Sequence, residues 1–259
     1  MDRIKILITG GNGYIAKSLY NSLKDKYDIT SITRQDFDLT DSKATGLWFK
    51  DKYFDIIIHT AVVGGSRLKP EDSSIMDQNL QMYYNLLTYK NHYKKFIHFG
   101  SGAEIHLDTP YGWSKNVIHK SILEKDNFYN IRIFGVFDEN EIDTRFIKSN
   151  IKRYINKEAI QIFEDKMMDF IYMPDLISIV DHYINVNDLP KDIDCIYPGM
   201  KSYLYDIAEI INKLDEYEVP ILTGKTVSHY IGYLPIDIEY IGLKNGIQLV
   251  YEKLRKNEN

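Results

Sequence analysis

The chain has 259 residues, 44% of them hydrophobic, and a formal net charge of −5 at pH 7. This length is enough to bury a large core, either as one domain or as a domain with a small lobe. The negative charge offers no electrostatic basis for binding nucleic acid or an anionic membrane. The single cysteine, Cys195, excludes an intramolecular disulfide framework and any metal site built from several cysteines.

The start of the chain resembles neither a signal peptide nor a membrane anchor. An apolar strand begins within the first five residues, and no apolar run is long enough to span a bilayer. We therefore expect a cytoplasmic protein with no nucleic-acid partner, no membrane partner and no metal site.

Short apolar strands alternate with amphipathic helices along the first half of the chain, which is typical of a parallel sheet covered on both faces. The predicted strands are 4–8, 28–33, 55–59, 95–99 and 129–134. The predicted helices between them are 14–26, 41–51, 75–92 and 112–126. After Asp138 the pattern changes to a helix at 143–156, strands at 160–163 and 168–172, and a helix begun by Pro174. This predicts a doubly wound α/β domain over 1–140 and a smaller lobe over 141–259, some of whose segments return to the first domain.

A glycine-rich turn separates the first predicted strand from the first helix. The pyrophosphate of a dinucleotide needs bare backbone N–H groups at a helix N-terminus that follows a strand and a tight turn. Gly10 would allow the tight turn, Gly13 the approach of a phosphate, and Ala16 the close packing of the helix on the strand. The turn therefore predicts a dinucleotide site.

The residue after the second strand indicates which dinucleotide is preferred. An acidic residue there suits the ribose hydroxyls of NAD, whereas a guanidinium suits the 2′-phosphate of NADP. Arg34 occupies this place, so NADP(H) is favoured. Asp36 and Asp38 lie close by and keep NAD(H) open as the alternative.

Ser101, Tyr111 and Lys115 form the chemical part of the pattern. A free phenol has a pKa of about 10, and a neighbouring ammonium lowers it toward the range of a useful proton donor or acceptor. Lys115 follows Tyr111 by four residues, on the same helix face. Ser101 ends a strand at the carboxyl edge of the sheet, where ligands of such folds bind, and its hydroxyl could hold a carbonyl oxygen. The three residues predict a carbonyl oxidoreductase.

With these residues in view, the chain resembles the extended short-chain dehydrogenase/reductases of the NAD-dependent epimerase/dehydratase family, which act on nucleotide sugars. The resemblance covers nearly the whole chain. The segments that carry it are 9–16, Asp38-Leu39, 59–61, Asn79, 99–101, 110–115 and Asp169 to Leu176 (DFIYMPDL). Residues 62–65 and 78–80 are similar to the GDP-L-fucose synthase branch, which reduces and epimerises a 4-keto-6-deoxy sugar with NADPH.

The resemblance implies a Rossmann fold with an NAD(P)-binding domain over 1–140 and a C-terminal lobe, mainly for substrate, over 141–259. It also implies a nucleotide-sugar substrate and a homodimer. It places the cofactor near residues beyond the glycines of the turn. These are Tyr14 and Ile15 directly after the turn, Asp38 and Leu39 near the adenine, Ala61, and Ser101, Tyr111 and Lys115 near the nicotinamide.

Departures from the family pattern reduce the number of reactions that the chain is expected to catalyse. Gly102 and Ala103 stand where the 4,6-dehydratases carry an acidic pair, so dehydration is not expected. Ala103 also stands where GDP-L-fucose synthases carry a catalytic Cys. Those enzymes use a His beyond the fifth major strand as well, and here no His lies between His119 and His182. Glu104 or His106 could substitute as acid or base, but we expect both to be solvated loop residues.

The sequence therefore predicts a reductase of a nucleotide-linked 4-keto sugar. Tyr111 would give a proton to the developing alkoxide, Ser101 would steady that oxygen, and Lys115 would lower the pKa of the phenol and hold the ribose. Three alternatives remain: a C4 epimerase using the same residues, an epimerase/reductase of the GDP-L-fucose synthase type, and a non-catalytic nucleotide-binding protein.

Overall fold

The computed structural model describes residues 3–66, 69–198, 202–226, 229, 231, 232 and 238–257. The chain divides into two compact units. Unit 1 comprises Met1–Ile133 and Val180–Ile193, and unit 2 comprises Phe134–Ile179 and Asp194–Asn259. The assignment of cofactor binding to one part of the chain and substrate binding to the other stays a prediction.

A sheet of six strands organises the described part of unit 1. With strands numbered along the chain, it contains β1 (Lys5–Thr9), β2 (Asp28–Ile32), β3 (Phe54–His59), β4 (Tyr93–Ser101), β5 (Phe128–Ile133) and β9 (Asp192–Cys195). Their order is β2-β1-β3-β4-β5-β9, and the pairings from β2 through β5 are parallel. Ile6, Leu7 and Ile8 are fully buried, as expected for a strand covered on both faces. This confirms the predicted α/β class and the doubly wound parallel sheet.

Five α-helices lie wholly within the described part of unit 1. They are α1 (Tyr14–Leu23), α2 (Ser42–Phe49), α3 (Ser74–Thr88), α4 (Ala103–His106) and α5 (Pro110–Leu123). Thr109 begins α5, because its Oγ1 accepts the N–H of Gly112 and Pro110 occupies the first turn. A hydrophobic core that includes Phe49, Leu86 and Ile118 packs against the sheet.

Several predicted bounds were wrong by a few residues. The predicted helix 75–92 ends at Thr88 and is followed by a separate 3-10 turn, Lys90–His92. The helix α4 was missed, since it lies in a segment predicted as a loop and has only four residues.

Unit 2 combines two small parallel strand pairs with helices. Its strands are β6 (Val136–Phe137), β7 (Ile160–Asp165), β8 (Ile171–Tyr172) and β10 (Ile221–Thr226), paired as β6 with β8 and β7 with β10. Its helices are α6 (Phe146–Ile155), α8 (Leu204–Ile211) and α9 (Leu243–Asn257), and unit boundaries fall within α7 (Met173–Asn185) and within β9. The predicted strand 168–172 is reduced to β8, because Asp169 lies in an irregular segment where its Oδ2 accepts the N–H of Gly232.

The strand order creates a switch point at β1. The chain passes from β1 to β2 on one side and then crosses to β3 on the other, and ligands of such sheets bind beyond the carboxyl ends of strands at this position. The glycine-rich turn follows β1 directly.

No helix among the described residues has the length and apolar character needed to span a bilayer.

Candidate active site

The turn after β1 has the geometry that its glycines predict. Gly10 has a φ of +72°, and a Cβ there would lie 2.7 Å from the Cα of Ala61, so a side chain would collide with the backbone after β3. Gly13 begins α1 without a side-chain cap, and the helix then closes with Lys17 N–H donating to Gly13 O at 3.0 Å. Gly13 has no side chain to cap the helix, and backbone amides at a helix N-terminus are the donor type that binds a pyrophosphate.

The helix beyond the turn buries one stripe of its surface. Ala16, Leu19 and Leu23 are its buried residues, whereas Ile15 is only partly buried. The fully buried Ala16 fits the predicted close approach of helix and sheet.

Arg34 lies two residues beyond β2, with 63% of its side chain exposed. Its Nε lies 3.8 Å from Asp38 Oδ2, which is a weak surface pairing. Asp38 Oδ1 accepts the N–H and hydroxyl of Thr40, and these hydrogen bonds lower the pKa of Asp38. Leu39 belongs to the buried core. The guanidinium is thus accessible to a phosphate, and a carboxylate lies within its reach.

Ser101 ends β4 and is held by the turn that follows. Its Oγ accepts the N–H of Ala103 at 3.2 Å, which leaves the hydroxyl hydrogen to donate elsewhere. Its own N–H donates to Glu104 Oε2 at 3.1 Å. The Ser101 hydroxyl can therefore act as a hydrogen-bond donor at the carboxyl edge of the sheet.

The expectation that Glu104 is a solvated loop residue was wrong. Its side chain is 1% exposed, and its Oε1 accepts the Nε of Arg132 and, at 3.2 Å, the Nδ2 of Asn130. Burial raises the pKa of Glu104, and the Arg132 guanidinium opposes this effect. These partners could not be predicted from sequence spacing, because Asn130 and Arg132 lie 26 and 28 residues further along the chain. His106 lies in α4 and is exposed.

Tyr111 lies in the first turn of α5 and is partly buried. Its backbone N–H donates to Glu71 Oε2 at 3.1 Å, and Glu71 Oε1 accepts the N–H of Gly65. A Cβ at Gly65 would lie 3.0 Å from the Cζ of Tyr111, so the loop after β3 contacts the phenol ring. Glu71 joins this loop to α5, and no motif in the sequence indicated that role.

Lys115 is buried behind the phenol. Its Nζ lies 5.7 Å from the centroid of the Tyr111 ring and donates to the carbonyl oxygen of Phe99 at 2.6 Å. Burial lowers the pKa of Lys115 to about 8, while the charge of Glu104 acts in the opposite direction. The predicted pairing of this lysine with the phenol is therefore present in space, and its backbone contact ties α5 to β4.

Two histidines beneath Lys115 were not predicted as part of the site. His98 Nε2 lies 3.5 Å from Lys115 Nζ, and the His98 ring stacks on that of His59 at 5.5 Å. His59 Nδ1 lies 2.8 Å from Thr9 Oγ1. Burial lowers the pKa of His59 to about 3 and that of His98 well below its ordinary value, with Lys115 contributing to both shifts. Burial and the Lys115 ammonium therefore favour the neutral form of both rings, and the two residues are direct partners across β3 and β4.

Three potential metal ligands, Glu104, His119 and Asp192, place one atom each within 4.8 Å of one another. The guanidinium of Arg132 already donates to both carboxylates, to Asp192 Oδ2 at 2.9 Å. A fixed cation compensates their charge, so we interpret the group as an ion cluster rather than a metal centre.

The DFIYMPDL segment has structural contacts within unit 2. Tyr172 N–H donates to the hydroxyl of Tyr197, which donates in turn to Asp175 Oδ2. Asp175 Oδ1 accepts the N–H of Ile241 at 2.8 Å. The segment thus holds the start of α7 to two distant parts of this unit.

The strand order and the turn after β1 define a doubly wound nucleotide-binding class of α/β protein. The model of the NAD dependent epimerase/dehydratase family matches residues 6–195, and the chain belongs to that family. This confirms the family that the sequence resembles and the prediction that the chain is an enzyme.

The chain is similar to a CDP-abequose synthase from Yersinia pseudotuberculosis, with 21% identity over 250 residues that cover 86% of this chain and 88% of the relative. Among solved structures it is similar to a GDP-mannoheptose C4 reductase from Campylobacter jejuni with NADP bound, at a TM-score of 0.78 and 16% identity over 98% of this chain and 99% of that one. It is also similar to a UDP-glucose 4-epimerase from Thermotoga maritima with UDP-glucose, at a TM-score of 0.77 and 15% identity over 99% and 100%. At these identities the two structures establish the shared fold.

Proposed function

We propose that the protein is an NADPH-dependent reductase of a nucleotide-linked 4-keto sugar. The observation that carries this proposal is the arrangement at the end of β4, where Lys115 Nζ lies 5.7 Å from the centroid of the Tyr111 ring and donates to Phe99 O, two residues before Ser101. Family membership and the C4 reductase among the similar structures support the reaction class.

The residues divide the chemistry among them. NADPH, when bound, supplies the hydride for the C4 carbon. The Ser101 hydroxyl donates a hydrogen bond to the carbonyl oxygen, and the Tyr111 phenol transfers its proton to that oxygen as negative charge develops. Lys115, held by Phe99 O, favours the phenolate left behind. The amides after Gly13 would hold the pyrophosphate.

The surroundings of Glu104 favour reduction without epimerisation. Exchange of a proton at C3 or C5 needs an acid or base within hydrogen-bond reach of those carbons. Glu104 is buried and bound to Arg132 and to the Ser101 amide, so its carboxylate is not available to a sugar. Ala103 carries no titratable group.

The central experiment is incubation of the protein with NADPH and a panel of 4-keto nucleotide sugars, with products identified by NMR. We expect oxidation of NADPH coupled to formation of the C4 alcohol. Tightly retained nicotinamide after purification, together with interconversion of C4 epimers without net NADPH consumption, would instead establish the epimerase alternative.

The same reaction in D₂O distinguishes simple reduction from a GDP-L-fucose synthase-type activity. With ordinary NADPH the hydrogen on C4 comes from the cofactor, and we expect no deuterium on C3 or C5 beyond that of a no-enzyme control. Mass spectrometry and NMR of the product measure this. Enzyme-dependent deuterium at either carbon that is lost in His106→Ala would contradict the reductase-only mechanism.

Arg34→Ala tests the cofactor preference. If the guanidinium binds the 2′-phosphate, the substitution should weaken NADPH binding by about 1–3 kcal/mol, the range of charged hydrogen bonds, and leave NADH nearly unchanged. Fluorescence titration with both cofactors measures this. The matched control is Arg3→Ala, which removes an exposed guanidinium before the start of β1 and should not weaken NADPH binding. Equal losses for NADPH and NADH in Arg34→Ala would remove the assignment.

A further inference from the structure

A buried carboxylate lies directly behind the strand end that carries Ser101. Glu104 Oε2 accepts the Ser101 N–H at 3.1 Å, while Glu104 Oε1 accepts from Arg132. Arg132 donates further to Asp192, at the start of β9. A chain of charged hydrogen bonds therefore runs from two strands of the sheet to the backbone of Ser101.

We propose that Glu104 is a positioning residue that fixes the Ser101 hydroxyl for the carbonyl oxygen of the substrate, an inference that rests on the proposed function. The carboxylate fixes the Ser101 amide, and the turn that Glu104 anchors brings Ala103 N–H to the Ser101 Oγ. Both ends of the serine are thus restrained. A serine so held needs little rearrangement when charge develops on the oxygen it contacts.

The neighbouring glycine shows how closely the carboxylate is fitted. A Cβ at Gly100 would lie 2.7 Å from Glu104 Oε2 and 2.7 Å from Asn130 Oδ1. Only a residue without a side chain allows the carboxylate to reach under the end of β4. The Glu104 backbone is fixed as well, since its carbonyl oxygen accepts the Nδ2 of Asn116 at 3.0 Å.

This arrangement also gives the buried Glu104–Arg132 ion pair a role other than stability. Removing charges from water is costly, and a buried pair is weak evidence for stability alone. Here Glu104 uses both oxygens, one for Arg132 and one for a backbone donor beside the reacting groups. The position of Ser101 depends on that second bond.

The test is a double-mutant cycle between Glu104 and Ser101, measured below the Lys115 pKa of about 8. Glu104→Gln should lower kcat by roughly 10-fold to 10²-fold, the scale of a misplaced catalytic group, with little change in the KM for NADPH. In a Ser101→Ala background the same substitution should lower kcat by no more than about 2-fold, because the group it positions is absent. An equal loss in both backgrounds would show a general structural role and overturn the proposal.

Two further variants separate positioning from folding. Glu104→Asp keeps the charge for Arg132 but withdraws the carboxylate from the Ser101 amide, so it should reproduce the loss of kcat and replaces Glu104→Gln if that protein does not fold. Asp192→Asn weakens the same ion cluster without touching Ser101, and it should lower thermal stability while leaving kcat nearly unchanged.

Amide hydrogen exchange at Ser101 provides a readout that needs no substrate. Exchange should be faster in Glu104→Gln or Glu104→Asp than in wild type and unchanged in Asp192→Asn. Unchanged exchange at Ser101 in a folded Glu104 variant would overturn the positioning role. Absence of reductase activity in wild type would count against the proposed function, and the exchange measurement would still decide whether Glu104 holds Ser101.

Discussion

Tyr111→Phe should lower turnover by roughly 10²–10⁴ while leaving NADPH binding nearly intact, since a positioned general acid contributes on that scale. The substitution removes one hydroxyl and keeps the ring that contacts Gly65 and lies 5.7 Å from Lys115 Nζ. The backbone bond from Tyr111 to Glu71 also persists. The expected loss is therefore chemical rather than structural.

Steady-state kinetics with the substrate identified from the panel, together with fluorescence titration of NADPH, measures this separation. Tyr84→Phe is the matched control, because Tyr84 lies on the exposed side of α3 and undergoes the same chemical change. Turnover should be unchanged in the control. A Tyr111→Phe enzyme with wild-type turnover would show that the phenol is not the proton donor.

The fold could be predicted because its signals are local. An apolar strand followed by Gly10 and Gly13 and then a helix has few alternatives, and the steric contact of Gly10 with Ala61 shows why glycine stands there. Helix ends were less predictable. The predicted helix 75–92 ran past Thr88, but Tyr89 leaves the helical conformation and the backbone turns into a 3-10 segment there.

The candidate site could be predicted only where its residues are neighbours in sequence. Tyr111 and Lys115 are one helical turn apart, so their proximity follows from spacing. Glu104 was misjudged because its burial depends on Arg132 and Asn130, which belong to the next strand of the sheet. A charged residue past a strand end is indistinguishable from a solvated one until the register of β4 and β5 brings those partners beside it.

The burial of Lys115 also could not be predicted from the sequence, and it has an electrostatic consequence. Spacing predicted that its ammonium would lie near the phenol, but not that it would be buried against Phe99 O and above His98. Burial of this lysine costs free energy, because burial disfavours its charged form.

Loss of the ammonium in Lys115→Met should lower turnover by roughly 10²-fold or more, since the phenolate would lose its nearest positive charge.

Lys115→Met should also change the pH dependence of stability, in a direction fixed by the sign of the pKa shift. The pKa of Lys115 is lowered to about 8 from 10.5 by burial, so between these values the unfolded chain binds a proton that the folded chain has lost. The free energy of unfolding of wild type therefore rises with pH through this window, by up to about 3 kcal/mol from this group.

Methionine has a similar length and no titrating group, so Lys115→Met lacks this contribution. The difference in unfolding free energy between wild type and variant should accordingly shift in favour of wild type as the pH rises from 8 toward 10.5, whereas the contributions of groups remote from Lys115 cancel. Urea denaturation of both proteins across this range measures the difference, and Lys120→Met, at an exposed position of α5, controls for the loss of a positive charge. A difference that stays constant with pH would show that Lys115 titrates alike in the folded and unfolded chain. That result would also show that burial does not disfavour the charged form of Lys115 beside Tyr111.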